Sequence, residues 1–244
     1  MIEYKIKDPA FFVRSVKSIG TVIDETLLQF GSRLRSYGLD QSHICLYELI
    51  IGESELEIIS DGKIDIMIDI RDLVKIMNRF SSPDEMSISY DSERIIIKGR
   101  IDNKTKTFKL ATLDSDIPPD PMETLNKLEL DSVFNINLSD FMDMISDAEI
   151  NSDAFTMDTV DDKLVIESLG NVGSTTSEIE LENGITSVEK CSYSVSLIKD
   201  TLRTLGSQDV IISFAKDKPI MIYNKLAKDS HLKWFVGPRV EQDG

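Results

Sequence analysis

Three basic residues, Arg71, Lys75 and Arg79, follow one another at intervals of four in the first half of the chain. Apolar residues in the same stretch also recur at helical spacing, so the pattern predicts a helix over residues 70–80 with its cations in one row. Lys and Arg presented in this way contact phosphate groups without reading base sequence. The chemistry indicated is electrostatic attraction to a polyanion, and an ordinary solvated helix surface is the plain alternative.

A second pair of cations lies 124 residues further along the chain. Lys199 matches Lys75 and Arg203 matches Arg79, on a helix predicted over residues 195–205. The strands that follow these two helices match at the same offset, and the first helices of the two halves match at an offset of 129. Internal repetition of this kind predicts two domains of the same type.

Strands surround the predicted helices. The first helix is predicted over residues 9–19 with Asp8 as its N-cap, the matching helix of the second half opens at Ser139, and Gly206 ends the last helix. Period-two alternation and β-branched runs predict strands, which lie at 25–30, 42–51, 63–68, 85–90, 94–98, 104–110, 132–137, 154–157, 163–167, 175–181, 209–214, 220–223 and 231–236. This mixture predicts an α+β fold.

The stretch from Asp114 to Asn126 separates the two halves. It contains three prolines and four acidic residues in thirteen positions. Proline has no backbone N–H and disfavours helix at the residue before it. We therefore expect this segment to run extended over the surface, as neither a helix nor a central strand. On these residues alone it is an interdomain linker.

The charge of the chain is strongly acidic and unevenly distributed. The formal net charge is −16, of which residues 1–113 carry −2 and residues 114–244 carry −14. Such acidity argues against nucleic-acid binding by the surface as a whole, whereas binding depends on the charge of one face. No run of 18 apolar residues occurs, so no membrane span is expected. The charged N-terminus is unlike a signal peptide, which indicates an intracellular protein.

Residues that could support catalysis are sparse. The sequence contains neither of the glycine-rich loops that bind nucleotide phosphates. His43, His231, Cys45 and Cys191 lack the spacing of a zinc site, so packed histidines and buried free thiols are expected. We predict no cofactor, no metal and no enzymatic activity.

Several segments together resemble the DNA sliding clamps of the proliferating cell nuclear antigen (PCNA) family. They are Leu39-Asp-Gln-Ser-His-Ile-Cys-Leu46, the Lys218-Pro219 step and His231-Leu-Lys-Trp-Phe-Val-Gly-Pro-Arg-Val240. The resemblance covers essentially the whole chain. It implies two duplicated clamp domains, at 1–113 and 128–244, joined by an interdomain connector at 114–127. Three such subunits would form a ring with helices inside and antiparallel sheets outside.

The resemblance implies that duplex DNA passes through the ring without sequence-specific contacts. The DNA-facing positions that it transfers to this chain are Arg14, Lys17, Lys75, Arg79, Lys199 and Arg203. The helix that opens at Ser139 departs from the family pattern, because Asp143 and Ser146 replace the expected cations. Asp140 and Asp147 add further negative charge there. This helix is therefore expected to contact a neighbouring subunit, or to mark a specialised member of a heterotrimer.

The resemblance also implies a hydrophobic pocket beneath the connector. Its residues are Leu39, His43, Ile44, Leu46, Ile117, Pro118, Pro219, Phe235, Pro238 and Val240. A DNA polymerase, flap endonuclease or DNA ligase would insert a short peptide of the form Gln-x-x-aliphatic-x-x-aromatic-aromatic there, after a clamp loader has placed the ring on DNA. The connector would form one wall of the groove, kept extended by its prolines.

Other functions remain open at this point. A clamp paralogue for repair or checkpoint signalling would share all of these features. A metal-dependent nuclease and an acidic scaffold that binds proteins are weaker alternatives.

In the ring that the resemblance implies, subunits would join near residues 104–110 of one copy and 174–181 of the next, as a homotrimer or a heterotrimer. The family resemblance implies that the protein lies in the cytoplasm if its source is an archaeon and in the nucleus if its source is a eukaryote.

Overall fold

The chain forms two compact units. The computed structural model describes residues 1–182, 184–185, 190–203, 205 and 209–239. The first unit comprises Met1–Asp120 and Lys225–Leu232, and the second comprises Pro121–Asn224 and the chain from Lys233 onward. The division between Asp120 and Pro121 falls inside the predicted connector.

The first unit contains two helices and two groups of antiparallel strands. Its elements are β1 (Ile2–Ile6), α1 (Pro9–Ile19), β2 (Glu25–Phe30), β3 (Leu34–Leu39), β4 (Cys45–Ile51), β5 (Leu56–Ser60), β6 (Ile64–Asp69), α2 (Ile70–Met77), β7 (Glu85–Tyr90), β8 (Arg94–Ile101) and β9 (Lys104–Ala111). One group has the order β5-β1-β7-β8-β9. In the other group, β2 pairs with β6 and β3, and β3 pairs with β4.

The second half of the chain repeats this plan. Its elements are α3 (Met122–Leu125), β10 (Ser132–Asn137), α4 (Leu138–Glu149), β11 (Ala154–Val160), β12 (Lys163–Leu169), β13 (Ser174–Glu180), β14 (Gly184–Ile185), β15 (Cys191–Ser194), α5 (Val195–Leu202), β16 (Asp209–Phe214), β17 (Ile220–Ala227) and β18 (Ser230–Val236). One sheet has the order β13-β12-β11-β15. Strand β10 pairs with β14 and β16, and β16 pairs with β17.

The helices of the first unit pack through their apolar faces. Helix α1 matches its predicted bounds, and the Asp8 carboxylate caps it by accepting from the Phe11 N–H at 2.9 Å. Phe12 and Val16 of α1 converge with Leu73 of α2 in the interior of the unit. Because each helix buries one stripe, its opposite polar face is left for solvent or a partner.

Three predicted helix boundaries were wrong. Helix α2 ends at Met77, so Arg79 and Phe80 lie in the turn that follows it. Helix α4 begins one residue before Ser139, because the Asn137 side chain accepts from the Ser139 N–H at 2.9 Å and caps the helix. Helix α5 ends at Leu202, and the predicted stop at Gly206 lies outside the described residues.

The repeat register also needs one correction. Helices α1 and α4 begin 129 residues apart, as predicted, but α2 and α5 begin 125 residues apart. Both have eight residues, and their buried positions correspond at that offset: Leu73 with Ile198 and Met77 with Leu202. Lys75 therefore corresponds to Asp200 rather than to Lys199. An offset of 124 holds only for the following strands, β7 and β16.

The connector is partly helical, which contradicts the expectation that it runs extended throughout. Residues 114–120 have no regular structure, whereas Met122–Leu125 form the single turn α3, preceded by Pro121. All three prolines precede this turn, where a missing N–H costs no helical hydrogen bond. Met122 is buried, with 2% of its surface exposed, so a side chain inside the unit stabilises the turn.

Strands β1, β3, β5 and β14 were missed by the sequence pattern. For β15 the apolar run around Cys191 indicates a strand without giving its bounds. The predicted strand at 42–51 begins only at Cys45, because residues 40–44 form a tight turn. Both cysteines are buried free thiols, as predicted. Burial strongly raises the pKa of the Cys45 thiol, so it is inert at neutral pH.

Candidate functional site

The predicted DNA-facing cations of the first unit lie on and beside the polar faces of α1 and α2. Arg14 is exposed, and Lys17 is half-buried one helical turn further along α1. Lys75 is exposed on α2 and pairs with Asp72 at 2.6 Å. Arg79 is exposed in the turn after α2, where its backbone carbonyl accepts from Lys106 Nζ at 2.7 Å. The two helices pack on each other, so their cations belong to one region of the unit.

The cations of the second unit are more fully neutralised. Lys199 of α5 forms an ion pair with Glu149 at the end of α4, and only 19% of its side chain is exposed. Arg203 lies just after α5, and its Nη1 is 3.8 Å from Asp200 Oδ1. The exposed Arg203–Asp200 pair contributes about 0–1 kcal/mol to stability. The main effect of the two pairs here is to reduce the positive field of this face.

Helix α4 has no cation to contribute. Asp140 and Asp143 are exposed on it, and Asp147 accepts a hydrogen bond from the Ser177 hydroxyl of β13 at 3.0 Å. The half-buried Ser146 donates to the Met142 carbonyl at 2.7 Å, so it is engaged within the helix. The negative charge that distinguishes this helix from the family pattern is therefore present on its exposed face.

The turn after β3 presents the first part of the predicted partner pocket. The buried Asp40 carboxylate accepts from the backbone N–H groups of Ile44 at 2.7 Å, Cys45 at 2.6 Å and Ser42 at 3.2 Å. Burial acts to raise the pKa of Asp40, but the donated hydrogen bonds outweigh it and the pKa is lowered. The ionised carboxylate thus holds the turn closed.

The closed turn exposes apolar side chains that a partner can reach. Leu39 and Ile44 are 41% and 43% exposed, and the exposed His43 between them has a φ of 59°, in the left-handed region. Leu46 is only 5% exposed, so it lies beneath this surface. In the connector, Ile117 is 52% exposed. The first unit therefore carries three exposed aliphatic side chains at predicted pocket positions.

Pro118, next to Ile117 in the first unit, is also exposed, whereas three of the other predicted pocket residues belong to the second unit. Pro219 and Pro238 are half-buried there, and Phe235 is 3% exposed. Val240 lies outside the described residues. Phe235 and Leu46 are core residues of their units, so neither presents its side chain to solvent.

Sequence reasoning missed the residues that hold the connector. Arg35 of β3 binds Asp120 of the connector through two hydrogen bonds, 2.6 and 3.0 Å long. It also donates to Glu48 of β4 at 2.8 Å, and its guanidinium lies 4.7 Å from the centre of the Tyr37 ring. No sequence pattern links residues 35 and 120, because helical or strand periodicity reports only on near neighbours.

Other kinds of site find little support. Within the described ranges, no group of three or more His, Cys, Asp or Glu side chains could hold a metal ion. None of the described helices has the length and apolar character needed to span a membrane.

Known proteins resemble this chain over its whole length. The DNA polymerase sliding clamp of Methanothermobacter thermautotrophicus is 28% identical over 251 residues, which cover all of both chains. A structure of A. fulgidus PCNA bound to the C-terminal region of FEN-1 superimposes with a TM-score of 0.86 at 19% identity, covering all of both chains. The PCNA2–PCNA3 complex of Sulfolobus tokodaii gives a TM-score of 0.85 at 18% identity, over 97% of this chain and 99% of that one. No family model matches.

The fold is that of the DNA clamps, with duplicated α+β units and a connector between them. In sequence, the chain is a homologue of the DNA polymerase sliding clamps of archaea, as the resemblance of its motifs predicted.

Proposed function

We propose that this chain is a subunit of a DNA sliding clamp, a ring that encircles duplex DNA and tethers replication and repair enzymes to it. The observation that carries this proposal is the likeness to archaeal sliding clamps along the full length of both chains. The ring acts by topology and not by catalysis, since a closed ring cannot leave DNA sideways. In an archaeal cell it works in the cytoplasm.

The edges of the sheets support a head-to-tail ring. Strand β9 is the end strand of its sheet and carries Lys104, Lys106 and Lys109, while β13 is the end strand of its own sheet and carries Glu178 and Glu180. Unpaired strand edges of opposite charge suit pairing between neighbouring subunits. Repetition of such a heterologous contact closes a ring. We propose a trimer, made of identical or unlike subunits.

Weak attraction to DNA suits this role. Arg14, Lys17 and Arg79 have no ion pair among the described residues, whereas Lys75, Lys199 and Arg203 are partly neutralised. A lining of this kind attracts phosphates without holding any one position on the duplex. The six cations therefore guide DNA, and topology retains it.

The exposed aliphatic residues Leu39, Ile44 and Ile117 are proposed to receive partner peptides. The A. fulgidus relative is bound to the C-terminal region of FEN-1. By analogy, a polymerase, a flap endonuclease, a DNA ligase and the clamp loader would dock here through short peptides with apolar anchors. Apolar anchors that enter a preformed groove dominate such interfaces.

Loading on circular DNA tests the proposal. Light scattering should give the mass of three subunits, and loader-dependent retention should be seen on nicked circular DNA but not after linearisation. Changing Arg14 and Lys75 to Glu should reduce the retained fraction, whereas Lys98→Glu, on strand β8, should leave it unchanged. A stable dimer, or equal retention on linear DNA, would contradict the ring.

A specialised role is the second candidate, and the acidic α4 favours it. Asp143 would repel phosphates where the family resemblance predicts a cation, and the exposed Asp140 adds to the negative charge of the helix. A subunit of a heterotrimer could tolerate this, because its neighbours would supply the missing charge. Mixing with candidate partner subunits before light scattering would distinguish a heterotrimer from a homotrimer.

A further inference from the structure

Arg35 is half-buried on β3 and contacts Asp120, halfway along the connector. We propose that Arg35 is a positioning residue for partner binding, which fastens the connector through Asp120 and so keeps the partner groove formed. This inference rests on the proposed function, because it concerns the groove where partner peptides are proposed to dock.

The guanidinium of Arg35 is held from several directions. Its Nη1 and Nη2 donate to the two carboxylate oxygens of Asp120 at 2.6 and 3.0 Å. Its Nε donates to Glu48 at 2.8 Å, and Nη1 also donates to the Gln29 side chain at 3.0 Å. The Arg35 and Glu48 side chains are 12% and 5% exposed, so little water competes for the bond between them, whereas the Asp120 side chain is 34% exposed.

The planar shape of the group matters as much as its charge. Two parallel N–H groups match the two oxygens of one carboxylate, so the pair sets the orientation of Asp120 as well as its distance. The Tyr37 ring under the guanidinium restricts it further. A lysine would keep the charge but could not make the paired contact.

The start of the connector is fastened to the same unit. The Leu113 N–H donates to the Met67 carbonyl at 2.8 Å, and the Leu113 side chain packs on the buried cluster of Leu27, Tyr37 and Met67. Residues 114–119 thus lie between two attachments. The Tyr37 hydroxyl, at 3.4 Å from the Pro118 carbonyl, adds a weak third contact.

Fastening both ends restricts the residues between them before a partner arrives. Ile117 lies in this restricted stretch and is 52% exposed. A connector released at Asp120 would sample many more conformations, and a peptide would have to order it on binding. Breaking the Arg35–Asp120 pair should therefore weaken peptide binding without removing any group that contacts the peptide.

The test compares three variants with the unaltered protein. A fluorescent peptide carrying Gln-x-x-Leu-x-x-Phe-Phe is titrated, and hydrogen exchange is measured over residues 114–117, which carry the backbone N–H groups of the restricted stretch. Asp120→Ala removes the carboxylate, and Arg35→Lys removes the fork but keeps the charge. Asp131→Ala is the matched control, because it removes an exposed carboxylate that has no bond to Arg35. Light scattering checks that the assembly is unchanged.

We expect Asp120→Ala and Arg35→Lys each to raise Kd at least tenfold, which corresponds to about 1.4 kcal/mol. Exchange over residues 114–117 should become faster in both, and Asp131→Ala should match the unaltered protein. If the unaltered protein binds the peptide and both variants bind it with the same Kd as the unaltered protein, the positioning role of Arg35 is wrong. Equal weakening by Asp131→Ala would also overturn it. Failure of the unaltered protein to bind would instead contradict the proposed groove.

Discussion

Replacement of Asp40 by alanine tests how the turn after β3 is held. In the folded chain its carboxylate accepts from the backbone N–H groups of Ile44 and Cys45 at 2.7 and 2.6 Å, and from that of Ser42 at 3.2 Å. The Cys45 amide is fully buried, so it would find no water to replace the lost acceptor. A buried amide left without an acceptor costs about 1–3 kcal/mol, and a partly exposed one costs less.

The expected loss in the free energy of unfolding is therefore about 2–4 kcal/mol at pH 7. Urea denaturation monitored through the buried Trp234 would measure it. Asp91→Ala is a matched control, because Asp91 accepts from two backbone N–H groups of an exposed turn, at 3.1 and 2.9 Å. Water can replace the carboxylate there, so a much smaller loss is expected. The Asp40 variant should also bind the partner peptide more weakly, since the turn presents Ile44.

The effect should depend on pH with a definite sign. The pKa of Asp40 is lower in the folded chain than its ordinary value, because the donated hydrogen bonds outweigh burial. Its stabilisation is therefore complete above the unfolded pKa, near 4, and is lost as pH falls through the folded pKa. The difference between the unaltered protein and Asp40→Ala should shrink below pH 4. A difference that stays constant down to about pH 3, or a loss under about 0.5 kcal/mol at pH 7, would refute this account.

Three further predictions concern the proposed surfaces. Ile117→Ala should raise the Kd of the partner peptide about tenfold in titration. The free energy of unfolding should change by less than about 0.5 kcal/mol, because this side chain is half exposed. An unchanged Kd would show that Ile117 is not part of the groove. Phe235→Ala should lower the free energy of unfolding by about 3–5 kcal/mol in urea denaturation, because Phe235 is 3% exposed; near-normal stability would contradict its place in the core. Asp143→Lys should increase retention on circular DNA, since it converts an exposed anion of α4 into a cation; unchanged retention would show that this face does not meet DNA.

Local chemistry allowed much of the fold to be predicted. Asp8 and Pro9 mark the start of α1, and its apolar spacing marks the length, because capping and periodicity act within a few residues. The repeat was detected for the same reason: each half buries its helices with the same spacing. Its register was misjudged by one residue at α5, since Lys199 resembles Lys75 in type while Asp200 corresponds to it in position.

The candidate site was predicted only in part. Motif resemblance located Leu39, Ile44 and Ile117, and the structure shows each of them exposed. The same resemblance included Leu46 and Phe235, which are buried, because a motif conveys residue type and not accessibility. Asp40 lies within the motif Leu39–Leu46, but its role as the acceptor that closes the turn follows only from the distances.

The two repeated α+β halves, the proline-rich connector and the motifs that resemble sliding clamps can all be inferred from the order of residues. These properties depend on local preference and on residue identity. The packed fold, in contrast, determines which cations are neutralised and brings Arg35 to Asp120, 85 positions away in sequence. Such pairs form because packing brings distant side chains together in a place with little water, and no local pattern carries that information.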